Sequence, residues 1–486
     1  MTSSAKAETT YLALSGSDLP RWNDVVPGGR HVEHPGRERR SIYLDTDERD
    51  LRRWGCILGY RTPGPGGEAG WELIVPGTLG TELHVTSSDS DVVPDELTAA
   101  VAGLAGGKPL RRSVTVGIGE ERHEWYDRKD RLIARIGVET VSATVIGAVA
   151  GIERWQQIHV DIGSKASKKQ RSGIAAALAG TEPVPKRSEL DRALAAVDAD
   201  PNRATPVAEG SSPHRVLGPY LDTQIQVIGA GDVWLRRGLD PIHPVRIAIR
   251  RLRSALRVFH DLFESSEAIW LDTELAWYAG LLGHVRDRQV QRARFAVALE
   301  TLPPELVMGP VATRIDTDLH ADQRRRLDEV SRTLDSDRYR TLLVTLGRWR
   351  AQPPLTEVAD GERIVVKATR RAERKADKWV RAAADGGDEE ALHRAHKAAK
   401  RARCATEVAT PLLGRRQVKR NTARYRNIQH VLGEHQDSAA ATDLLREFGA
   451  RAGTTPGENG FTFGLLYGLE IRSAERTRRD VAGLAT

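Results

Sequence analysis

The chain has 486 residues, of which 40% are hydrophobic and 29% charged, enough apolar content for two or three cored domains and too much for wholesale disorder. Its net charge is +7, its aromatic content is only 5%, and its two cysteines, Cys56 and Cys404, are too few and too far apart for a disulfide framework or a metal-ligand cluster. No run of eighteen apolar residues exists, and MTSSAKAETTYLAL lacks a basic region followed by a long apolar core, so neither a spanning helix nor a secretory signal is expected and the cytoplasm is the expected compartment.

Along the first half, RRSIYLDT, GCILGYRT, GWELIVPG and WQQIHVDI are rich in β-branched and aromatic residues and are separated by turns such as TPGPGGEAG. This predicts an antiparallel β domain over residues 1–197 with some helix, notably at ASKKQRSGIAAALAG. In DADPNRATPVAEGSSP, residues 198–213, Pro, Gly, Ser and Ala replace any period, which reads as a linker. Charge divides near the same point: the first 210 residues carry 27 basic and 30 acidic side chains, the remainder 46 and 36. A polyanion would therefore be drawn to the C-terminal part.

That part, residues 214–486, has a 3.6-residue period over 243–262, 271–300, 321–350, 360–384, 389–410 and 415–448, punctuated by Pro303, Pro304, Pro353 and Pro354. One stretch is written twice, 150 positions apart. His243, Arg246, Arg250, Arg251 and Arg253 of IHPVRIAIRRLRSAL recur as His393, His396, Lys400, Arg401 and Arg403 of LHRAHKAAKRARCAT. Downstream, 39 residues after each leading histidine, Leu282, Gly283 and Asp287 of LGHVRD recur as Leu432, Gly433 and Asp437 of LGEHQD. Four features in register imply a duplication with halves at about 214–355 and 356–486, each large enough for a four-helix bundle.

On a helical wheel, offsets 0, 3, 7 and 10 fall within roughly an 80° arc, while Val245, Ala248, Ile249 and Leu252 lie on the opposite side. Arg257 extends the first stripe, whereas Glu407 occupies its counterpart. Between Arg246 and Arg257 there are five arginines and no acid, and between Arg394 and Arg403 five basic residues and again no acid. Solvated helix faces usually mix signs and so avoid like-charge repulsion. Unrelieved repulsion kept in both copies predicts a polyanionic ligand. The candidate binding residues are His243, Arg246, Arg250, Arg251, Arg253, Arg257, His393, His396, Lys397, Lys400, Arg401 and Arg403. Arg370, Arg371 and Arg374, beside Lys367 and Lys375, and Arg416, Lys419 and Arg420 are secondary candidates. Gly283 and Gly433 read as packing glycines, and Asp287 and Asp437 as salt-bridge partners of interior arginines rather than acid/base groups. Without interleaved aromatics or Asn and Gln placed to read base edges, the stripe fits nucleic acid less well than a simpler polyanion.

The pattern His-x-x-Arg-x-x-x-Arg-Arg-x-Arg, then Leu-Gly-x-x-Arg-Asp, then Lys-Arg-x-Arg and a second Leu-Gly-x-x-x-Asp, resembles the CHAD family, the conserved histidine α-helical domain, over roughly residues 213–486. The resemblance implies two pseudo-symmetric four-helix bundles and a basic surface or pore that binds inorganic polyphosphate without catalysis. Polyphosphate is then the implied partner, polyphosphate granules a place of association, and no cofactor or metal is called for. Carried over by position, the ligand-facing set is His243, Arg246, Arg250, Arg253, His393, Lys400 and Arg403, with Arg251 and Arg401 beside them. Two departures stand out: His396 replaces an Arg, which would make that charge pH-dependent, and Cys404 replaces a Tyr.

The first half resembles, more faintly, the CYTH family of triphosphate-tunnel β-barrels, through YLDTDERDLRRWGCILGYRT, WELIVPG and KRSELDRAL. Tyr43, Asp45, Thr46, Leu51, Gly55 and Leu58 fall where that family has its Tyr-x-Asp-Thr strand and following Leu and Gly, and Arg61 retains one tunnel arginine. The family's Glu-x-Glu-x-Lys strand is here Glu8, Thr10, Leu12, its strand lysine is Ile74, the first arginine of its Leu-Arg-x-Arg is Gly59, and its late acidic strand is Gln157, His159, Asp161. With most metal and phosphate ligands replaced, no catalytic residue is expected; a metal-dependent triphosphatase and a general polyanion or nucleic-acid binder are the alternatives. The expected fold is thus multidomain α+β, a β-barrel-like domain followed by an all-α domain.

Overall fold

The structure, a computed structural model, describes residues 9–13, 22–62, 69–76, 82–86, 92–147, 151–179, 181–184, 188–198, 212–358 and 360–485. The chain divides into two compact units, residues 1–76 with 80–206 and residues 77–79 with 207–486. Most of the expected linker, 199–211, lies outside the described residues, as does Glu8.

Among the described residues of the first unit, nine strands form one antiparallel sheet: β1 (Thr9–Ala13), β2 (Arg30–Asp45), β3 (Ile57–Arg61), β4 (Gly70–Ile74), β5 (Glu82–Thr86), β6 (Arg111–Tyr126), β7 (Leu132–Val145), β8 (Gly151–Ile162) and β9 (Thr181–Val184). Their order is β5-β4-β3-β2-β6-β7-β8-β1-β9. Helices α1 (Asp50–Arg53), α2 (Asp95–Val101), α3 (Lys168–Ala177) and α4 (Glu189–Asp198) complete the unit. Alternation sets the layers. In register, Val114, Val116 and Ile118 of β6 face Val145, Ala143 and Val141 of β7, and Leu190, Ala193 and Leu194 of α4 pack over them. Trp125, Ile136 and Val138, on the other face, bury against Ile174 of α3. A capping box, Ser167 with Gln170, starts α3.

In the second unit the first half holds α5 (Ser212–Arg236), α6 (Ile242–Val258), α7 (Ser265–Glu300), α8 (Val311–Leu334) and α9 (Asp337–Ala351). The second holds α10 (Gly361–Ala384), α11 (Glu389–Val408), α12 (Arg415–Ala452) and α13 (Phe461–Ala482). The period over 321–350 suggested one helix, yet it breaks at Asp335. Ser336 turns to an extended backbone and its hydroxyl accepts from Tyr339 N at 3.3 Å, so a new helix starts and the first half carries five. The halves share a core: Phe295 of α7 with Ile315 and Leu319 of α8 meet Leu445 and Phe448 of α12 and Phe463 of α13. Elsewhere α6 packs on α11, which brings the repeated stripes together. No described helix is long and apolar enough to cross a membrane.

Candidate anion-binding site

The duplicated helices bury their apolar faces inward: Val245, Ala248, Ile249 and Leu252 on α6, and Ala395, Ala399, Ala402 and Ala405 on α11. The alanine face of α11 lets the two backbones approach. Asp388 caps α11, its carboxylate accepting from Ala391 N at 2.9 Å. The basic stripes are thereby held side by side around a cleft of about 260 Å³. From α6 it is lined by Arg246, Arg250, Arg253, Ser254 and Arg257, from α11 by Lys397, Lys400 and Arg401, and from α7 by Ala279.

Part of the charge is matched inside the protein, contrary to a stripe wholly without acids. Asp272 of α7 takes Arg253 at 2.9 Å and Arg257 at 2.6 Å. Glu407, the acid in the place of Arg257 in the second copy, takes Arg403 at 2.9 Å and Arg251 at 3.3 Å and draws both away from the cleft. The Arg403–Glu407 pair is an i to i+4 contact within α11, whereas Asp272 comes from another helix and the reach of Glu407 to Arg251 crosses to α6, so neither of these shows in the stripe's own spacing. Arg250, Lys397, Lys400 and Arg401 make no ion pair among the described residues. Burial lowers the pKa of Lys400 to about 8, with Arg250 and Arg246 adding repulsion and Asp437 opposing it. Arg250 is lowered by burial and then by Arg403, Arg251 and Arg246, and Arg401 by burial and then by Arg257. Cations crowded where their neighbours are cations favour an incoming anion.

Arg246 lies across α7, where its Nη1 donates to the Ala279 carbonyl at 3.2 Å. Gly283 makes this possible, since a Cβ there would strike Nη1. Asp287 reaches Arg246 only at 4.0 Å and is largely exposed, a weaker pairing than its place in the motif suggested. In the second copy His396 replaces Arg246, and its expected pH-dependent charge is corrected by the structure. His396 is buried and its Nδ1 meets Gln436 Oε1 at 2.9 Å, while Gln436 Nε2 donates to His393 Nδ1 at 2.9 Å. Burial, followed by repulsion from Lys400, pushes the His396 pKa down to about 3, so it stays neutral at ordinary pH. His243 and His393 are lowered too, first by burial, then by Arg286 and by Lys397 respectively.

Among the secondary candidates, Arg371 of α10 lines a neighbouring hollow together with Lys375. Arg370 and Arg374 are exposed, as are Arg416, Lys419 and Arg420 on α12, and none of them lines either hollow. Ser254 and Ala279 were not singled out in the sequence. Their small size is the only signal they carry.

The first unit handles its charges differently. On the sheet face covered by α4, Arg39 of β2 is held by Glu139 at 2.9 Å and by Glu189 of α4 at 2.7 Å. Gln157 and His159, in the late acidic strand's positions, donate to or meet the same Glu139 at 2.5 and 3.2 Å. Burial acts to raise the Glu139 pKa, but the hydrogen bonds from His159 and Gln157 and the charge of Arg39 prevail and hold it at about 2. Arg61 faces Glu72 at 3.5 Å. Beside Gln157 and His159, β1 places Leu12 and Thr10. Among the described residues no group of three His, Cys, Asp or Glu side chains is placed to hold a metal.

Residues 219–446 match the family model of the CHAD domain, and the helical unit is a CHAD domain. In the sheet unit, Tyr43, Asp45 and Arg61 lie on the adjacent strands β2 and β3. An uncharacterized protein of Mycobacterium tuberculosis (strain CDC 1551 / Oshkosh) is 29% identical over 504 residues, covering 98% of this chain and 94% of that one. The CHAD domain from the plant Ricinus communis is 21% identical, covering 56% of this chain and 90% of that one, with a TM-score of 0.45. PptA from Streptomyces chartreusis is 19% identical, covering 56% and 98%, with a TM-score of 0.47.

Proposed function

We propose that the helical unit binds inorganic polyphosphate in the cleft between α6 and α11, and that the protein is not an enzyme. The observation that carries the reading is the unmatched cationic group: Arg250, Lys397, Lys400 and Arg401, from both copies of the repeat, line one cleft without a carboxylate partner among the described residues. A flexible polymer with a charge on each phosphate suits many cations in a row, and guanidinium adds paired donors. The lining contains no aromatic ring and no Asn or Gln, which favours phosphate over a base-reading surface. Residues 1–197 form a degenerate CYTH-like domain on this reading, 198–213 a linker and 214–486 the CHAD domain, in a cytoplasmic protein associated with polyphosphate granules.

The test is retention on immobilised long-chain polyphosphate across a salt series. The wild type is expected to bind with a steep salt dependence, because each neutralised phosphate releases a counterion, by analogy with nucleic acid. Arg250→Glu with Lys400→Glu is the informative pair, since Arg253 is already held by Asp272. Retention unchanged in that variant, or displacement of polyphosphate by DNA at equal charge concentration, refutes the proposal. Phosphate release from tripolyphosphate with magnesium or manganese is expected to stay at background, and release that is lost on Arg61→Ala would restore the triphosphatase alternative.

A further inference from the structure

At its Arg257 end the cleft adjoins a second hollow of about 170 Å³, walled by α10 through Arg371 and Lys375 and floored by Ala368, Ala372 and Ala398. Arg257 and Arg401 line both hollows, so the two adjoin along the surface. Arg371, Lys375 and Arg401 make no ion pair among the described residues, and no acid lines this second hollow. Two of its lining residues carry their own carboxylate partners, Arg257 with Asp272 at 2.6 Å and His260 with Asp261 at 2.8 Å.

The surroundings differ at the other end, beyond Arg246. The cavity there is lined by Asp287 and Asp437, and its arginines are matched: Arg288 by Asp322 at 2.6 Å, Arg294 by Glu470 at 2.7 Å and Glu434 at 3.1 Å. A polyanion advancing that way meets carboxylates, whereas over α10 it meets free cations.

We infer that the anion leaves the first hollow over Arg257 and Arg401 and continues along α10, where Arg371 and Lys375 are further phosphate-binding residues. The inference rests on the polyphosphate reading and deepens it: the ligand is a linear chain long enough to fill both hollows, and short anions occupy the first alone. From Arg246 to Arg257 the α6 wall is already about 16 Å long at 1.5 Å per residue. A triphosphate needs no more than that wall, so α10 contributes only to longer chains.

The test uses the full chain carrying Arg371→Glu and Lys375→Glu, titrated calorimetrically with tripolyphosphate and with long-chain polyphosphate at several salt concentrations. Both positions are exposed, and an unchanged thermal melt confirms folding. Tripolyphosphate affinity is expected within twofold of wild type, while long-chain affinity falls at least tenfold and its log–log salt slope shrinks by roughly 1.5 for two lost phosphate contacts. Arg472→Glu with Arg476→Glu, two exposed arginines of α13 that line neither hollow, makes the same change in net charge and is expected to cost less than threefold. Unchanged long-chain affinity, an equal loss in the α13 variant, or an equal loss for tripolyphosphate overturns the second hollow while leaving the first intact. A wild type that binds neither probe overturns the polyphosphate reading itself.

Discussion

Replacing Lys400 with Met is expected to make the protein more stable and a poorer binder of polyphosphate. Lys400 is half-buried, has no carboxylate within ion-pair distance among the described residues, and faces Arg250, Arg246 and Lys397, with Asp437 the opposing charge. The fall of its pKa from 10.5 to about 8 corresponds to about 3 kcal/mol against the charged form in the fold. Solvent in the open cleft screens this to roughly 1–2 kcal/mol. Met keeps the unbranched stem and removes the charge, so at pH 7 the variant should gain that amount in denaturant or thermal unfolding. The pH dependence has a definite sign. Between about 8 and 10.5 the unfolded chain holds the Lys400 proton that the fold has released, so wild-type stability rises with pH in that window relative to the variant and the difference closes. Binding runs the other way. An anion favours the protonated amine, so wild-type affinity falls as pH rises above about 8, while the variant, weaker at pH 7 by the roughly tenfold that a charged hydrogen bond is worth, lacks that step. A variant no more stable at pH 7, or more stable by the same amount at pH 7 and pH 10.5, refutes the reasoning, as does an unchanged affinity.

Local periodicity made much of this fold and site legible. The register of His243 with His393 and of Gly283 with Gly433 carries the duplication, and the 3.6-residue period places both stripes on helices before any packing is known. The helix break at Asp335 was hidden because the period runs through it, and only the Ser336 cap marks the restart. Strands β6 and β7 are less legible, since Gly117 interrupts Val114–Ile118 and Glu139 interrupts Val138–Val145, although the strands are among the longest in the sheet. What the sequence could not yield is pairing across elements. Asp272 lies on α7, fifteen or more residues from the arginines it neutralises, and Glu407 looked like a mere loss of charge until its reach to Arg251 was seen. The same limit hid the burial of His396, whose neighbours in the chain include Arg394 and Lys397 but whose ring lies against Gln436. Charge counting along one helix overestimates free charge, and tertiary structure decides which cations remain for a ligand.

Three further outcomes follow from particular contacts. Because His396 titrates only near 3, its conversion to Gln should leave the pH profile of polyphosphate binding between 5.5 and 7 unaltered, and a rise in affinity on acidification that the variant abolishes would contradict its burial as a neutral ring. In the sheet unit, Glu139→Gln should cost about 1–3 kcal/mol of stability at neutral pH by leaving Arg39 with Glu189 alone. Since the folded pKa of Glu139 lies at about 2, below its ordinary 4.5, the wild-type advantage is full above 4.5 and vanishes as pH falls through 2; a flat difference in unfolding free energy across that range would exclude the ion pair as its source. The motif glycines give the sharpest contrast. Gly283→Ala puts a methyl group where Arg246 Nη1 lies, and the flexible guanidinium, rather than the helix, gives way, losing its bond to the Ala279 carbonyl. Gly433→Ala, in the matching place of the second copy, meets only His396 Cε1 at an ordinary 3.9 Å. Both substitutions improve helix propensity by up to about 1 kcal/mol, so neither should lower the melting temperature. Polyphosphate affinity measured by calorimetry should therefore fall several-fold in Gly283→Ala and hold in Gly433→Ala, with no charge removed in either. Equal affinities in the two variants would mean that the position of Arg246 over α7 has no part in holding the anion, and that the glycine shared by both repeats serves helix packing alone.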